Sequence, residues 1–238
     1  MNFKTTDMNI QNKAEIYNRK LKMDFKKIDM DTWDRAEIYN WHINYVRWKI
    51  NMTMQLDVTN LIKTIKQNKL RCYPVFTYIT SKIVNRHDEF KMNYDENGDL
   101  ILYDVIHPRY PIFHDSDKRL SILWTDYSDD FETFYEQFIS DVNKYGEKRS
   151  MSAKGQFPPN CFDMSCLPWS SFTSFDCPPT KDTVWLPPFV MVGKFYPKDD
   201  KILLPVSLSV HHCVCDGYHV SRFFEEFQSL AKNFDTTF

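Results

Sequence analysis

Apolar and polar positions divide the chain into segments of differing period. Ala36-Glu37-Ile38 follows Thr32, a residue type that caps helices, and predicts a helix over about 33–41. MTMQLDV (52–58) alternates as a half-buried strand does, whereas VTNLIKTIKQN (58–68) has the 3–4 spacing of a helix. PVFTYITSKIVNRH (74–87) also reads as a helix, with Pro74 tolerated in its first turn. Two strand-like runs, FKMNYD and LILYDVI, are joined through Asn97-Gly98, a hairpin signal. Residues 129–145 form an amphipathic helix with Phe131, Phe134, Phe138 and Val142 on one side, followed by a polar, Pro-containing loop over 146–160. PFVMVGKFY and KILLPVSLSV flank Pro197-Lys198-Asp199-Asp200 as a further hairpin. The last helix, over 217–232, carries Val220, Phe223, Phe224, Phe227 and Leu230 on one side. Hairpins interspersed with a few helices predict an α/β chain, either α+β or a two-layer sandwich, with antiparallel pairing.

Composition narrows this further. The chain has 238 residues, 42% hydrophobic and 16% aromatic, enough for one sizeable core. Only five glycines occur and no Gly-rich linker divides the chain, so a single domain is expected. A net charge of −2 without a basic stripe argues against nucleic-acid binding. No run of 18 apolar residues predicts a membrane span, and the first residues lack the apolar stretch of a secretory signal. A cytoplasmic enzyme is the expectation, and its six cysteines, with no CxxC pair, are expected to be reduced and mostly buried. One irregularity stands out. MNFKTTDMNIQNKAEIYN (1–18) and MDFKKIDMDTWDRAEIYN (23–40) share ten of eighteen aligned residues. Two copies do not make a solenoid. Residues 1–22 are read as an extension, and 23–238 as the domain, because the second copy carries Trp33 and Arg35 and runs directly into the rest. The extension is expected to be a disordered tail or to pair with an edge strand or neighbouring subunit.

The densest chemistry lies in HHCVCDGYH (211–219), on a predicted strand-to-helix turn. A metal site would draw on His211, His212, Cys213, Cys215 and His219. Strand alternation puts 211, 213 and 215 on one face and 212 on the other, splitting that set. A thiol nucleophile is the second option, and one activated histidine the third.

His212-x-x-x-Asp216-Gly217, preceded by another histidine and an apolar strand, resembles the active-site motif of CoA-dependent acyltransferases. LPWSSFTSFD (167–176), YPVFTYITSKIVNRHDEF (73–90), FHDSDKRLSILW (113–124) and the segment 193–230 resemble the chloramphenicol acetyltransferase family, in the right order. The resemblance spans about residues 23–232. It implies a two-layer α/β sandwich of the CoA-dependent acyltransferase type, a mixed sheet packed by helices. It further implies a homotrimer with active sites in tunnels between subunits. Acetyl-CoA would be co-substrate rather than a resident cofactor, a small hydroxyl compound the acceptor, and no metal, nucleic acid or membrane is implied. His212 matches the family's general base and Ser165 its oxyanion donor. Asp216 is implied to pair with Arg35 in support of the turn. Trp169, Arg71, Lys194 and Met191 fall where the family meets CoA. Trp41, His42, Trp48, Ile50, Pro111, Leu120 and Phe157 fall where it meets the acceptor.

The acceptor positions depart from the family. Trp41-His42 replaces a Phe-Tyr type pair, and Trp48-Lys49-Ile50 replaces Cys, a small residue and an aromatic. Pro111 replaces a threonine and Arg119-Leu120 a Thr-Phe pair. Met191 stands for a hydroxyl-bearing threonine, Phe195 for a tyrosine and Asp163 for an asparagine. Chloramphenicol O-acetylation is the leading expectation. The competing ones are the same chemistry on another hydroxyl and a ligand-binding trimer of low turnover. A zinc-binding structural protein is a further class. The acyltransferase cores of large dehydrogenase complexes share the HHxxxDG turn, but a lipoyl-bearing arm is not seen here.

Overall fold

A computed structural model describes residues 24–177 and 184–235; the extension read over 1–22 lies outside them. The described chain runs β1 (Phe25–Lys27), α1 (Ala36–Trp41), a π-helical turn (His42–Val46), β2 (Lys49–Asp57), α2 (Thr59–Gln67) and α3 (Cys72–Arg86). A 3-10 turn (Asp88–Phe90), β3 (Met92–Tyr94), β4 (Leu100–Tyr103), β5 (His107–His114), β6 (Arg119–Trp124) and α4 (Phe131–Tyr145) follow. The remainder is β7 (Cys161–Leu167), β8 (Phe189–Gly193), β9 (Tyr196–Lys198), β10 (Lys201–His211) and α5 (Gly217–Lys232).

The larger sheet has the order β2-β10-β8-β7-β5-β6, with β9 also pairing β10; the smaller is β1-β4-β3. Hairpin signals predicted antiparallel pairing, yet β5–β7 and β7–β8 are parallel. For the first pair the reason is α4 and the long loop after it, which carry the chain from the far edge back to the middle, a crossover that no local pattern records.

Alternation along the strands gives the large sheet two unlike faces. Phe162, Met164, Val190, Val192, Leu204, Val206, Leu208 and Val210 are buried in the core. Phe76, Ile79, Ile83, Phe134, Phe138, Phe223 and Phe227 of α3, α4 and α5 complete that core. The opposite face carries Arg109, Asp163, Ser165, Met191, Ser207, Ser209 and His211 in successive rows. Such a half-polar face is free to carry chemistry.

Several predicted boundaries move. Thr32 does not cap a helix; its hydroxyl donates to Asp29 at 2.9 Å within a turn, and α1 starts at Ala36. α1 then passes into the π-helical turn, whose end at Arg47 takes a left-handed φ of 47°. β5 has no clear sequence signature because Pro108 and Pro111 interrupt it. Pro111 lies beyond Arg109, the last β5 residue paired with β7. Pro205 of β10 likewise sits between the stretch paired with β9 and the stretch paired with β8.

Candidate active site

The turn from β10 into α5 is held by its own backbone. The N–H groups of Val214 and Cys215 both donate to the His211 carbonyl, at 3.2 and 3.1 Å, and His212 N–H donates to Trp48 O at 2.9 Å. Asp216 caps α5 by accepting Tyr218 N–H at 3.0 Å, and the His219 ring accepts Asp216 N–H at 3.0 Å. Arg35, from the turn before α1, closes the arrangement from 181 residues away in sequence. Its Nη1 donates to Asp216 at 3.0 Å, its Nε to Cys213 O at 3.3 Å and its Nη2 to His212 O at 3.4 Å. Three contacts at different angles suit a planar guanidinium and no other cation. Burial pushes the Asp216 carboxyl up, but the Arg35 hydrogen bond and the neighbouring charges outweigh it and hold the pKa below its ordinary value.

Within this frame His212 Nδ1 lies 3.0 Å from the Cys215 carbonyl. A carbonyl oxygen only accepts, so Nδ1 carries the proton and Nε2 is left as a free base. The His212 ring stacks on His42 with centroids 3.9 Å apart and planes 19° apart. Burial first, and His212 second, lower the His42 pKa, which keeps that ring neutral beside the base. His211 plays a different part. Burial and the neighbouring cations pull its pKa down to about 4, and its Nδ1 accepts Cys213 N–H at 3.2 Å.

The thiol option fails on protonation. Burial pushes Cys213 up to about 12 and Cys215 well above its ordinary value, so neither holds a thiolate near neutrality. Cys161 is fully buried, which pushes its thiol up as well, and Cys166, packed against the core, is pushed up to about 12. Among the described residues no cluster of three or more His, Cys, Asp or Glu side chains is arranged to hold a metal ion.

The remaining candidates fall into two groups. His42, Trp48, Trp41 and Ile50 belong with the base: His42 stacks on it, the Trp48 ring lies 6.2 Å from His42, Trp41 precedes His42, and Ile50 pairs with Val210. Trp41, Tyr45 and Trp48 are 58%, 75% and 61% exposed, a concentration of bare aromatic surface beside the base. Ser165 belongs to the other group. It faces Met191 across β7–β8, and Met191 faces Ser207 across β8–β10. His211 lies four residues beyond Ser207, so strand rise and spacing put Ser165 about 16 Å from the start of the histidine turn. Near Ser165, Trp169 stands edge-on to Phe113 with centroids 4.6 Å apart, and Leu120 pairs with Phe113. Pro111 precedes them on β5. Lys194 follows Gly193, which pairs with Leu167, and Lys194 N–H donates to Ser170 O at 3.0 Å. Arg71 belongs to neither group: it occupies the N-cap position of α3 without a side-chain capping bond, and its N–H donates to the Tyr135 hydroxyl at 3.0 Å. Met191 is buried, which leaves it little surface in a single chain for CoA. One chain therefore does not bring His212 and Ser165 together.

Three features escaped the sequence reading. The Cys215 carbonyl, which sets the His212 tautomer, is backbone and leaves no side-chain signal. Residues 170–176 form a strap across the polar sheet face: Gln55 donates to Phe172 O at 2.9 Å, Ser207 to Phe175 O at 2.8 Å and Asn51 to Asp176 at 2.7 Å. Its residues were visible within LPWSSFTSFD, but not its path. The third is an ion pair, Arg109–Asp163, whose members are 54 residues apart.

A family model described as chloramphenicol acetyltransferase matches residues 23–228. A chloramphenicol acetyltransferase of Clostridium perfringens is 40% identical over 195 residues, 82% of this chain and 89% of that protein. One of Escherichia coli is 41% identical over 181 residues, 76% of this chain and 82% of that protein. Among solved structures, a chloramphenicol acetyltransferase superposes with a TM-score of 0.80 at 21% identity, covering 87% of this chain and all (100%) of the other. The dihydrolipoamide acetyltransferase of Azotobacter vinelandii superposes at 0.62 with 17% identity over 87% of this chain and 91% of the other. At those identities the two structures speak for the fold alone.

Proposed function

The chain belongs to the chloramphenicol acetyltransferase family and is an acyltransferase of the two-layer CoA-dependent fold; on that premise we propose that it transfers acetyl from acetyl-CoA to a hydroxyl of chloramphenicol, with His212 as general base. The observation that carries this is the His212 Nδ1 to Cys215 carbonyl bond at 3.0 Å, which leaves Nε2 to take a proton. The acceptor oxygen attacks the thioester carbonyl carbon while its proton passes to Nε2. The tetrahedral oxyanion then collapses, the carbon–sulfur bond breaks, and the same proton goes to the departing CoA sulfur. Acetyl moves directly, so no acyl-enzyme forms and no permanently bound cofactor is needed. Much of the acceleration comes from holding both substrates together. Ser165 donates its hydroxyl to the oxyanion.

That role for Ser165 requires a second subunit. In this reading the base of one chain faces the Ser165 half of its neighbour, and closure makes a cyclic trimer with three composite sites. Two observations support it: the roughly 16 Å offset between Ser165 and the histidine turn along the sheet, and the exposed Trp41, Tyr45 and Trp48 beside His212. Arg35 and Asp216 hold the turn rather than relay protons. Trp169, Lys194 and Arg71 meet CoA. His42, Trp48, Ile50, Pro111, Leu120, Phe157 and Trp41 shape the acceptor end. The enzyme works in the cytoplasm, where acetyl-CoA is available. Among the described residues no helix is long and apolar enough to cross a membrane.

A second reading keeps the chemistry and changes the acceptor. The bulk of Trp48 beside the base favours it, since the shape of the pocket decides which acceptor fits. Thiol release from acetyl-CoA, with chloramphenicol and with a panel of other primary alcohols, separates the two. Chloramphenicol-dependent release that is lost in His212→Ala supports the first, and release only with another alcohol the second. Drug and acetyl-CoA binding with no release from any alcohol would instead mean a ligand-binding trimer.

A further inference from the structure

The Arg109–Asp163 pair is more than a tie between strands. Arg109 Nε and Nη2 both donate to Asp163, each at 2.7 Å, a bidentate geometry that locks the guanidinium plane. The guanidinium lies 5.0 Å from the Phe157 ring centroid and 5.2 Å from that of Trp185. Both charges sit on the polar face of the sheet. Asp163 is two residues from Ser165 on the same face of β7, and Arg109 is its direct neighbour on β5. Strand geometry therefore puts Arg109 roughly 8 Å from Ser165 between Cα atoms. With Nε and Nη2 engaged, Nη1 still has two N–H groups and no hydrogen-bond partner among the described residues. Trp185 Nε1, beside it, is buried and also without a partner. A guanidinium nitrogen with nothing among the described residues to accept from it, beside a buried indole N–H that also lacks a partner and close to the oxyanion donor, describes a receptor for oxygen.

We propose that Arg109, held in place by Asp163, and Trp185 are specificity-determining residues that donate hydrogen bonds to an oxygen-rich group of the acceptor, a nitro, carboxylate or carbonyl, distant from its reacting hydroxyl. This rests on the acyltransferase reading above and names the acceptor class that the site selects. Asp163 both orients the fork and balances its charge, so a neutral oxygen is accepted as well as an anionic one. A purely apolar alcohol leaves both donors unpaired in a half-buried setting and is rejected.

The test uses the whole chain and two variants. Arg109→Gln/Asp163→Asn removes both charges together, so neither partner is stranded, and Trp185→Phe keeps the ring while deleting the donor. Acceptors are primary alcohols matched in size, with and without a nitro, carboxylate or carbonyl group, chloramphenicol among them. The expected result is that wild type favours the oxygen-bearing alcohols in kcat/KM. The double variant shrinks that preference about tenfold or more and Trp185→Phe by a smaller factor, through the acceptor KM, while KM for acetyl-CoA moves by less than about twofold. An equal loss for every alcohol, or an unaltered preference, overturns the proposal, because a structural tie would act on all acceptors alike. Equilibrium binding of chloramphenicol is measured alongside. If wild type turns over none of the alcohols, the acyltransferase reading fails, and binding decides the inference: weaker binding by the double variant upholds it, and equal or absent binding overturns it.

Discussion

The two halves of the proposed site are built in opposite ways. The histidine half is a short turn in which nearly every polar group is spoken for: His211 O accepts two N–H groups, Arg35 spans His212 O, Cys213 O and Asp216, and the Cys215 carbonyl orients the base. The serine half is a row across a flat sheet, where Ser165, Met191 and Ser207 are neighbours only through strand register. The first is organised by local closure and tolerates little. The second is organised by topology, and its chemistry depends on what faces it. A base needs one tautomer and one direction. An oxyanion donor and an acceptor pocket need a surface that a second chain completes.

The largest break in this comparison is removal of the base. His212→Ala is expected to lower kcat by about 10³–10⁴-fold with an unaltered melting temperature, measured by steady-state thiol release and thermal unfolding. Ser165→Ala removes one oxyanion donor, and kcat is expected to fall about 10²–10³-fold with little change in KM. The two variants together sharpen the point. Unfolded and refolded as a 1:1 mixture, they should regain activity in about a quarter of the sites, those pairing an intact base with a neighbour's intact serine. If the mixture stays as inactive as its components, both groups act within one chain.

Next in size is the frame of the histidine half. Arg35→Ala strands Asp216 and frees two carbonyls, and should cost about 1–2 kcal/mol, reduced from the fully buried figure by the partial exposure of Asp216. kcat should fall as well, and Arg35→Lys should not restore it, because a point charge cannot serve three acceptors. The pH dependence has a definite sign. The Asp216 pKa is depressed in the folded state, so its contribution is present above the unfolded carboxyl pKa near 4 and is lost as pH falls through the lower folded value. Denaturant unfolding from pH 7 to pH 3 should show wild type losing its advantage over Arg35→Ala across that acid range, and a constant difference would exclude the linkage.

The smallest effect tests the strap over the serine half. A Cβ on Gly193 would lie 2.7 Å from the Phe172 ring and 2.7 Å from the Pro205 ring. Gly193→Ala should destabilise by about 1–3 kcal/mol through overpacking and raise KM for acetyl-CoA through the neighbouring Lys194, as thermal unfolding and steady-state thiol release would measure.

Much of the histidine half was legible in the sequence. The apolar alternation of β10, the turn at Asp216-Gly217 and the amphipathic run of α5 all lie within 32 consecutive residues, 201–232. Arg35 was legible only through family resemblance, since nothing in its own neighbourhood points to residue 216. The expected capping by Thr32 failed because Asp29 took its hydroxyl. β5 was hidden by Pro108 and Pro111, which a strand accepts only where a neighbouring strand does not need their N–H.

By itself, the sequence determined what short-range physics controls. It set the periodicity of the helices and strands, the Asn97-Gly98 hairpin between β3 and β4, and the histidine at a strand-to-helix turn. Tertiary structure alone decided the parallel pairing of β5, β7 and β8 and the row that joins Ser165 to Met191 and Ser207. It also decided the distance that keeps Ser165 from His212, and the meeting of Arg109 with Asp163. Each of these is a relation between residues tens of positions apart. It is set by how strands pack to bury one common face, and a local pattern of apolar and polar residues carries no record of which distant strand will lie alongside.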